Sequence, residues 1–410
     1  MNTSIRNRTM ILIAAMVIIT AASTYMRADT GTCGGTSITL PFTDVPSGSV
    51  FFCSIAEAYI QALTNGTTPT TYNPSDPVPR EQMAAFITRT LDRSLTRGSR
   101  RAAHTQFWTT TPQYTITAGT TTLGTTVVGT LPRQVQSDSA DLWVANATSG
   151  TVSRVRASDA KLLETWTGAT NAYGVLIAMN RVFVTGDSVP GTLYMIEPSQ
   201  VMGAVTTVAS TLGNHPEGIA FDGSRIWTAN SGSSGTDSIS IITPGSPFTV
   251  TNVSGINGPL GVLYDGANIW VTAYGTGIGN GHLYKLNSSG GILLTITVGN
   301  FPYHPVFDGT NIWVPNQGSS SITVVRPSDG MVLATLTGNG LRSPITAAFD
   351  GQRILVTNLA AASVSLWNAS DLTPLGSFVV GGVSQPFGAC SDGLNFWLTL
   401  EGSFNKLARF

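Results

Sequence analysis

The feature that most constrains this chain is a repeat. A large apolar residue inside a strand-like run recurs at Trp143, Phe183, Trp227, Trp270, Trp313, Leu355 and Trp397, at intervals of 40, 44, 43, 43, 42 and 42 residues. A period of this size marks one supersecondary unit that cannot bury both of its faces alone and must stack on copies of itself. Seven such units account for residues 118–410.

Each tag carries the same surroundings. Eleven residues before it stands a proline, at Pro132, Pro216, Pro259, Pro302, Pro344 and Pro386, with Ala172 in the second unit. Five before it comes Asp138, Asp222, Asp265, Asp308, Asp350 or Asp392, nearly always followed by glycine. An Asp-Gly pair between apolar strands predicts a tight hairpin, because glycine adopts positive φ without a Cβ clash. Three after the tag, Asn146, Asn230, Asn316 and Asn358 are expected to mark the next turn, since Asn tolerates left-handed geometry. Two more strands follow, as at 320–325 and 331–337 around the turn at 327–330. Four short antiparallel strands, repeated seven times, predict a mainly β fold, a seven-bladed β-propeller with the tags packed between blades. After Trp397 the sequence supplies one further strand, 405–410, while 122–129 forms an orphan strand before the first tag. That N-terminal strand is expected to complete the last blade and close the ring.

The third unit, Pro-x-Gly-Ile-Ala-Phe-Asp-Gly-x-x-Ile-Trp-x-x-Asn over residues 216–230, resembles the YVTN and NHL families of propeller repeats. It is also similar to the streptogramin lyase and gluconolactonase branches of that architecture. The resemblance implies the fold. For the enzyme branches it implies in addition a few acids, histidines or amides, usually around a divalent metal at the central mouth.

The N-terminal quarter has a different texture. Residues 1–28 read as an export signal, with Arg6 and Arg8 before an apolar run of 13 from Met10 to Ala22 and small residues at Ala21, Ala22 and Ala28. The run is shorter than the ~20 residues that span a bilayer, so no membrane span is expected after cleavage near Asp29. The destination is then the cell surface, the envelope or the extracellular space. In that oxidising setting Cys33 and Cys53, 20 residues apart, are expected to form a disulfide, leaving Cys390 as core filler. Over residues 40–95, Ile55, Tyr59, Ile60 and Leu63 recur at helical spacing, and Met83, Phe86, Ile87 and Leu91 do so again after Pro79, which predicts two short helices. Phe42-Thr43-Asp44-Val45-Pro46, the turn at Leu63-Thr64-Asn65-Gly66, Tyr72-Asn73-Pro74 and Val78-Pro79-Arg80-Glu81-Gln82-Met83 resemble a single S-layer homology (SLH) module. That resemblance implies attachment to cell-wall polysaccharide. The family's Thr-Arg-Ala-Glu stretch aligns with Pro79-Arg80-Glu81-Gln82, which makes Arg80, with Asp44, the wall-glycan candidates. Residues 96–117 read as a linker.

Repeat phase separates scaffold from chemistry. Polar residues present in most units build the blade, so only those that break the pattern are functional candidates. The segment around the repeat proline should feed the innermost strand and line the central mouth. Ten before the tag the ring reads Arg133, Tyr173, Glu217, Leu260, Tyr303, Ile345 and Phe387, with His215 twelve before and His304 nine before their tags. Arg133, Tyr173, His215, Glu217, Tyr303 and His304 are therefore the ligand-binding candidates. Two imidazoles and a carboxylate also suit acid–base catalysis or a divalent metal, so His215, Glu217 and His304 are the alternative catalytic set. The glycine-rich run at 275–281 lies between two strands with no helix after it, which reads as a blade loop bordered by an exposed His282.

Charge removes one class of partner. With 21 basic and 22 acidic side chains the net charge is −1, which offers no general attraction to phosphate backbones, so nucleic acid is not expected. The expected molecule is an exported monomeric scaffold without a cofactor. Its partner is a cell-wall or extracellular glycan, a peptide or a surface protein, and its rival is a metal-dependent propeller lyase or lactonase.

Overall fold

The computed structural model describes residues 30–33, 36–60, 63–80, 83, 114–117, 120–232, 235–275, 279–380, 385–402 and 405–410. The chain divides into two compact units, residues 1–112 and 113–410. The export-signal segment and the basic run at Arg93, Arg97, Arg100 and Arg101 lie outside the described residues. Among those residues no helix is long and apolar enough to cross a membrane.

In the N-terminal unit an antiparallel hairpin pairs Thr30–Cys33 with Thr36–Thr39, and one helix, Phe52–Ile60, follows. Phe52, Ile55 and Ala56 pack on Cys33, Ile38, Leu40, Phe42 and Val45, and Cys33 is bonded to Cys53. The helical spacing runs one turn too far. Ile60 is 38% exposed, and Leu63 lies beyond the helix with its N–H on the Ala58 carbonyl. Of the second expected helix only the opening is described, where the Met83 N–H donates to the Pro79 carbonyl at 3.0 Å. One short helix and a hairpin do not support the S-layer homology (SLH) resemblance.

The second unit is a seven-bladed β-propeller. Six blades are four-stranded antiparallel sheets in sequential order. Their innermost strands, Pro132–Ser137, Ala172–Ala178, Pro216–Phe221, Pro259–Tyr264, Val306–Phe307 and Pro344–Phe349, stand around the hub with Gln385–Ser391 of blade 7. Blade 7 is completed by the N-terminal strand Thr120–Val127, which pairs with Lys406–Arg409. A further strand, Tyr114–Thr117, pairs outside it. The stretch expected to be linker thus already holds sheet: four residues at its C-terminal end form the outermost strand of the closing blade.

Every tag is fully buried, and each packs against the following blade. Trp143 meets Val175, Val182 and Val184; Trp227 meets Ile269 and Val271; Trp397 meets Val135, Leu142 and Val144, which seals blade 7 to blade 1. Removing one such ring would cost about 3–5 kcal/mol. Each indole N–H also needs a partner inside the core. It donates to the hairpin aspartate five residues earlier, at 2.7 Å for Trp227–Asp222, Trp270–Asp265, Trp313–Asp308 and Trp397–Asp392 and at 3.3 Å for Trp143–Asp138. The other carboxylate oxygen caps the hairpin, as Asp265 does for the N–H groups of Ala267 and Asn268. Burial pushes the Asp222 carboxyl up, but donors from Trp227, Arg225 and Ser224 outweigh it and hold the group at about 2. The hairpin glycines do take positive φ, 95° at Gly223 and 96° at Gly266.

The asparagines three after the tag are not turn residues. Asn146, Asn230, Asn316 and Asn358 end the second strand, are fully buried, and are absent from the left-handed positions of the chain. Their side-chain amides bracket the third strand: Asn230 Nδ2 donates to Ser238 Oγ at 3.2 Å and Ser240 Oγ at 2.8 Å, while its oxygen accepts from Thr228 at 2.8 Å. Asn230→Gly therefore separates the two roles. A left-handed turn residue would tolerate glycine, whereas loss of the bracket is expected to lower unfolding free energy by about 2 kcal/mol in urea titrations.

Candidate functional site

The hub geometry follows from one backbone device. In six blades the residue twelve before the tag is left-handed: Leu131, Asn171, His215, Gly258, Phe301 and Ser343 have φ of 58, 52, 53, 63, 49 and 51°. Its carbonyl accepts the N–H of the residue four after the tag, from Ala147, Asp187, Ser231, Tyr274, Gln317 and Leu359 respectively. The positive φ of His215 is thus architecture rather than local strain. The same bond fixes a second row of side chains beside the innermost strands, and that row was not singled out in the sequence.

Close approach of neighbouring innermost strands sets what lies below. At the position nine before the tag, Gly174, Gly218, Gly261 and Gly388 each abut a backbone carbonyl of the next blade, and a Cβ would collide with it. Thr272, Thr357 and Thr399 lock these contacts by donating to the carbonyls of Tyr303, Phe387 and Arg133 at 2.7, 2.8 and 2.6 Å. His304 occupies the same position in blade 5. There the innermost strand shrinks to Val306–Phe307 and bridges blade 6 in parallel fashion, the His304 N–H on the Ile345 carbonyl at 3.0 Å.

These constraints gather the repeat-breaking side chains at the hub. Tyr173, Ile345 and Phe387 form its apolar centre, with Tyr303 and Leu359 against them. The Arg133 guanidinium lies 5.3 Å from the Tyr173 ring centre and 4.8 Å from that of Phe387 and is paired with Glu401 at 2.8 Å. His304 is 8% exposed and lies among three rings, with centroid distances of 5.7 Å to Tyr303 and 6.3 Å to both Tyr173 and Phe387. The Tyr173 hydroxyl is hydrogen-bonded to Glu217. Three buried polar atoms have no partner here: Glu217 Oε2, His304 Nε2 and Arg133 Nε.

His215 stands apart from this set. Its Nδ1 meets Asp187 Oδ1 at 2.7 Å, and its side chain is 45% exposed. Among the described residues no three His, Cys, Asp or Glu side chains converge closely enough to hold a metal ion, so His215, Glu217 and His304 as they stand are not a ligand set. Asp187 and Glu401 were missed. Both stand four after their tags, and reading that row as Ala147, Asp187, Ser231, Tyr274, Gln317, Leu359 and Glu401 would have found them.

Of the other candidates, Asp44 is consumed by its own fold: its oxygens accept the N–H groups of Tyr72 at 2.8 Å and Asn73 at 2.6 Å. Arg80 is exposed. His282 is half-buried, not exposed, because it starts the strand His282–Leu286 and its ring sits 5.7 Å from that of Tyr284.

No protein-family model matches the sequence, and no curated protein matches it. Solved structures do. A catalytically inactive histidine-to-alanine variant of virginiamycin B lyase from Staphylococcus aureus, with quinupristin, is 16% identical and has a TM-score of 0.57 over 70% of this chain and 97% of its own. Hydrazine synthase of Kuenenia stuttgartiensis is also 16% identical, with a TM-score of 0.58 over 70% and 98%. A streptogramin B lyase is 13% identical, with a TM-score of 0.55 over 70% and 95%. These likenesses establish the class, a β-propeller repeat protein.

Proton equilibria at the hub oppose one another. Desolvation raises the Glu217 carboxyl from 4.5 to about 7, with Asp187 adding to it and Tyr173 and Arg133 pulling less strongly the other way. Desolvation, then Arg133, lowers His304 from 6.5 to about 4. A raised carboxyl costs stability as pH climbs from about 4.5 to 7, because the unfolded chain ionises first. A lowered imidazole adds stability as pH climbs from about 4 to 6.5, because the unfolded chain loses the proton that the folded one does not hold. Relative to the parent, Glu217→Gln should therefore gain stability as pH rises through this window and His304→Gln should lose it. Urea midpoints measured between pH 4 and 7.5 check both slopes.

Proposed function

We propose that the protein is an exported binding scaffold whose propeller hub takes a glycan or peptide ligand at its mouth, with the N-terminal unit serving association with the cell envelope. One observation carries the binding role. The side chains that break the repeat meet in one place, and there buried polar atoms of Glu217, His304 and Arg133 lack partners among aromatic rings. Unpaired buried polar atoms cost free energy in the absence of a ligand, and a ligand supplying the missing partners recovers it. Aromatic rings with a few convergent polar groups are the usual lining of a recognition site.

A second reading has its own support. The Asp187–His215 pair can orient an imidazole as a general base, and a carboxyl held at about 7 can serve as the acid, which together fit a propeller lyase or lactonase. The lyases among the structural neighbours lend that reading the fold and nothing more. Melting curves separate the two: the scaffold expects no response to chelator, whereas a loss of several degrees with EDTA, absent in His304→Gln, favours the metal-dependent enzyme.

The primary test is a glycan and peptide array on the mature chain. A ligand should bind the parent and lose about tenfold or more in affinity on Tyr303→Ala, whose half-buried ring borders the orphaned atoms. Failure of every glycan and peptide to bind would overturn the hub reading. For the envelope role, sedimentation with purified wall polysaccharide should fall on Arg80→Ala, and equal sedimentation rejects Arg80 as the contact.

A further inference from the structure

The hub is an unusual mixture of charges. Three carboxylates face it, Asp187, Glu217 and Glu401, against one guanidinium, Arg133, and the exposed imidazole of His215. Arg133 gives one terminal nitrogen to Glu401 and lies over the rings of Tyr173 and Phe387, while its Nε keeps an unused donor. Asp187 meets the His215 imidazole at 2.7 Å, whereas Glu217 forms no ion pair among the described residues and keeps one oxygen without a partner.

Two independent atoms point the same way. Glu217 Oε2 is buried without a partner and, once the carboxyl is ionised, can only accept. His304 is more than nine-tenths buried, its Nε2 is also without a partner, and burial favours the neutral ring, so in the tautomer with its proton on Nδ1 the Nε2 offers a lone pair. Tyr173 is common to both: its hydroxyl bonds Glu217 and its ring lies 6.3 Å from that of His304. Acceptors beside the Tyr303 ring, whose centre lies 5.7 Å from that of His304, form an environment that attracts an organic cation.

Shape narrows the class further. Tyr173, His304, Ile345 and Phe387 are exposed by 6, 8, 1 and 4%, so rings and apolar side chains already fill much of the hub. A sugar ring needs more room among these side chains than an extended stem does. A thin apolar stem ending in a charged head matches this packing better.

Resting on the reading of the hub as a ligand site, we infer that its ligand group is a primary alkylammonium, the chemistry of a lysyl side chain, with the ammonium donating to Glu217 and His304 and the stem lying against Tyr303. Binding then carries a proton signature. Below pH 7 the Glu217 carboxyl holds a proton that an incoming ammonium displaces.

The experiment compares the capped tripeptide Gly-Lys-Gly with its ε-acetylated counterpart on the full mature chain, by calorimetry at pH 6.5 in two buffers of different ionisation enthalpy. The free-amine peptide should bind roughly 10- to 100-fold more tightly, the scale of a charge-assisted hydrogen bond, and should release up to about one proton. Glu217→Gln, nearly isosteric, should erase both the preference and the proton release while circular dichroism stays unchanged. Equal or tighter binding of the acetylated peptide, still weakened by Tyr303→Ala, overturns the ammonium assignment and leaves the hub site standing. No binding of either peptide also overturns it, and the array then decides whether the hub binds anything at all.

Discussion

The structure depends on the contact between each tag and the blade that follows it. A four-stranded blade has two apolar faces and cannot bury them alone, so a large side chain at one fixed position must fill the gap to the next blade. An indole brings a polar N–H into that gap, and the hairpin aspartate five residues earlier answers it. One carboxylate thus holds the hairpin and the inter-blade ring at once, which explains why the aspartate and the tryptophan recur as a pair. Blade 6 tests the logic: its tag is Leu355, which has no N–H, and the freed Asp350 oxygen takes the Arg353 guanidinium instead at 3.0 Å.

Closure follows from the same need. Seven blades leave one open flank unless the last sheet is finished by a strand from the other end of the repeat array. Thr120–Val127 does this, and Trp397 then packs on blade 1 as the other tags pack on theirs. Once the ring is shut, glycine contacts and threonine bonds between innermost strands hold the hub side chains at fixed distances. At His304, which stands where four blades have glycine, the innermost strand is reduced to Val306–Phe307 and the histidine bridges Thr346 of blade 6.

Most of the fold was legible in the sequence because it is written seven times. The tags, the hairpin glycines, the closing strand and the hub row each show as a phase of the repeat. What escaped reading has physical reasons. The asparagines look like turn residues by type, yet they are strand ends whose amides satisfy buried hydroxyls, a role that depends on which way the side chain faces. Asp187 and Glu401 hid in a row four after the tag that is otherwise apolar or neutral; Asp187 is set by a backbone bond to left-handed Asn171, and Glu401 by strand pairing with Gln385. The strand Tyr114–Thr117 has no counterpart in other blades, so no period announced it. In the N-terminal unit nothing repeats, and helical spacing alone overran the helix by a turn, while the role of Asp44 in holding the Tyr72 and Asn73 N–H groups has no signal in the sequence.

The hub also shows how a crowded interior can retain ionisable groups. Desolvation raises the Glu217 carboxyl to about 7, so it is mostly protonated below that pH, and lowers the His304 imidazole to about 4, so it is mostly neutral above that pH. The one full ion pair is Arg133 with Glu401, and burial raises even the Glu401 carboxyl against the pull of its partner. Neutral Glu217 and neutral His304 cost less desolvation than their charged forms, but Glu217 Oε2 and His304 Nε2 lack partners among rings that neighbouring blades hold in place. Such a site is poised in one direction. A donor that brings positive charge favours the ionised form of Glu217 and offers a partner to its free oxygen, whereas an anion meets a desolvated carboxyl and an arginine with only its Nε unpartnered.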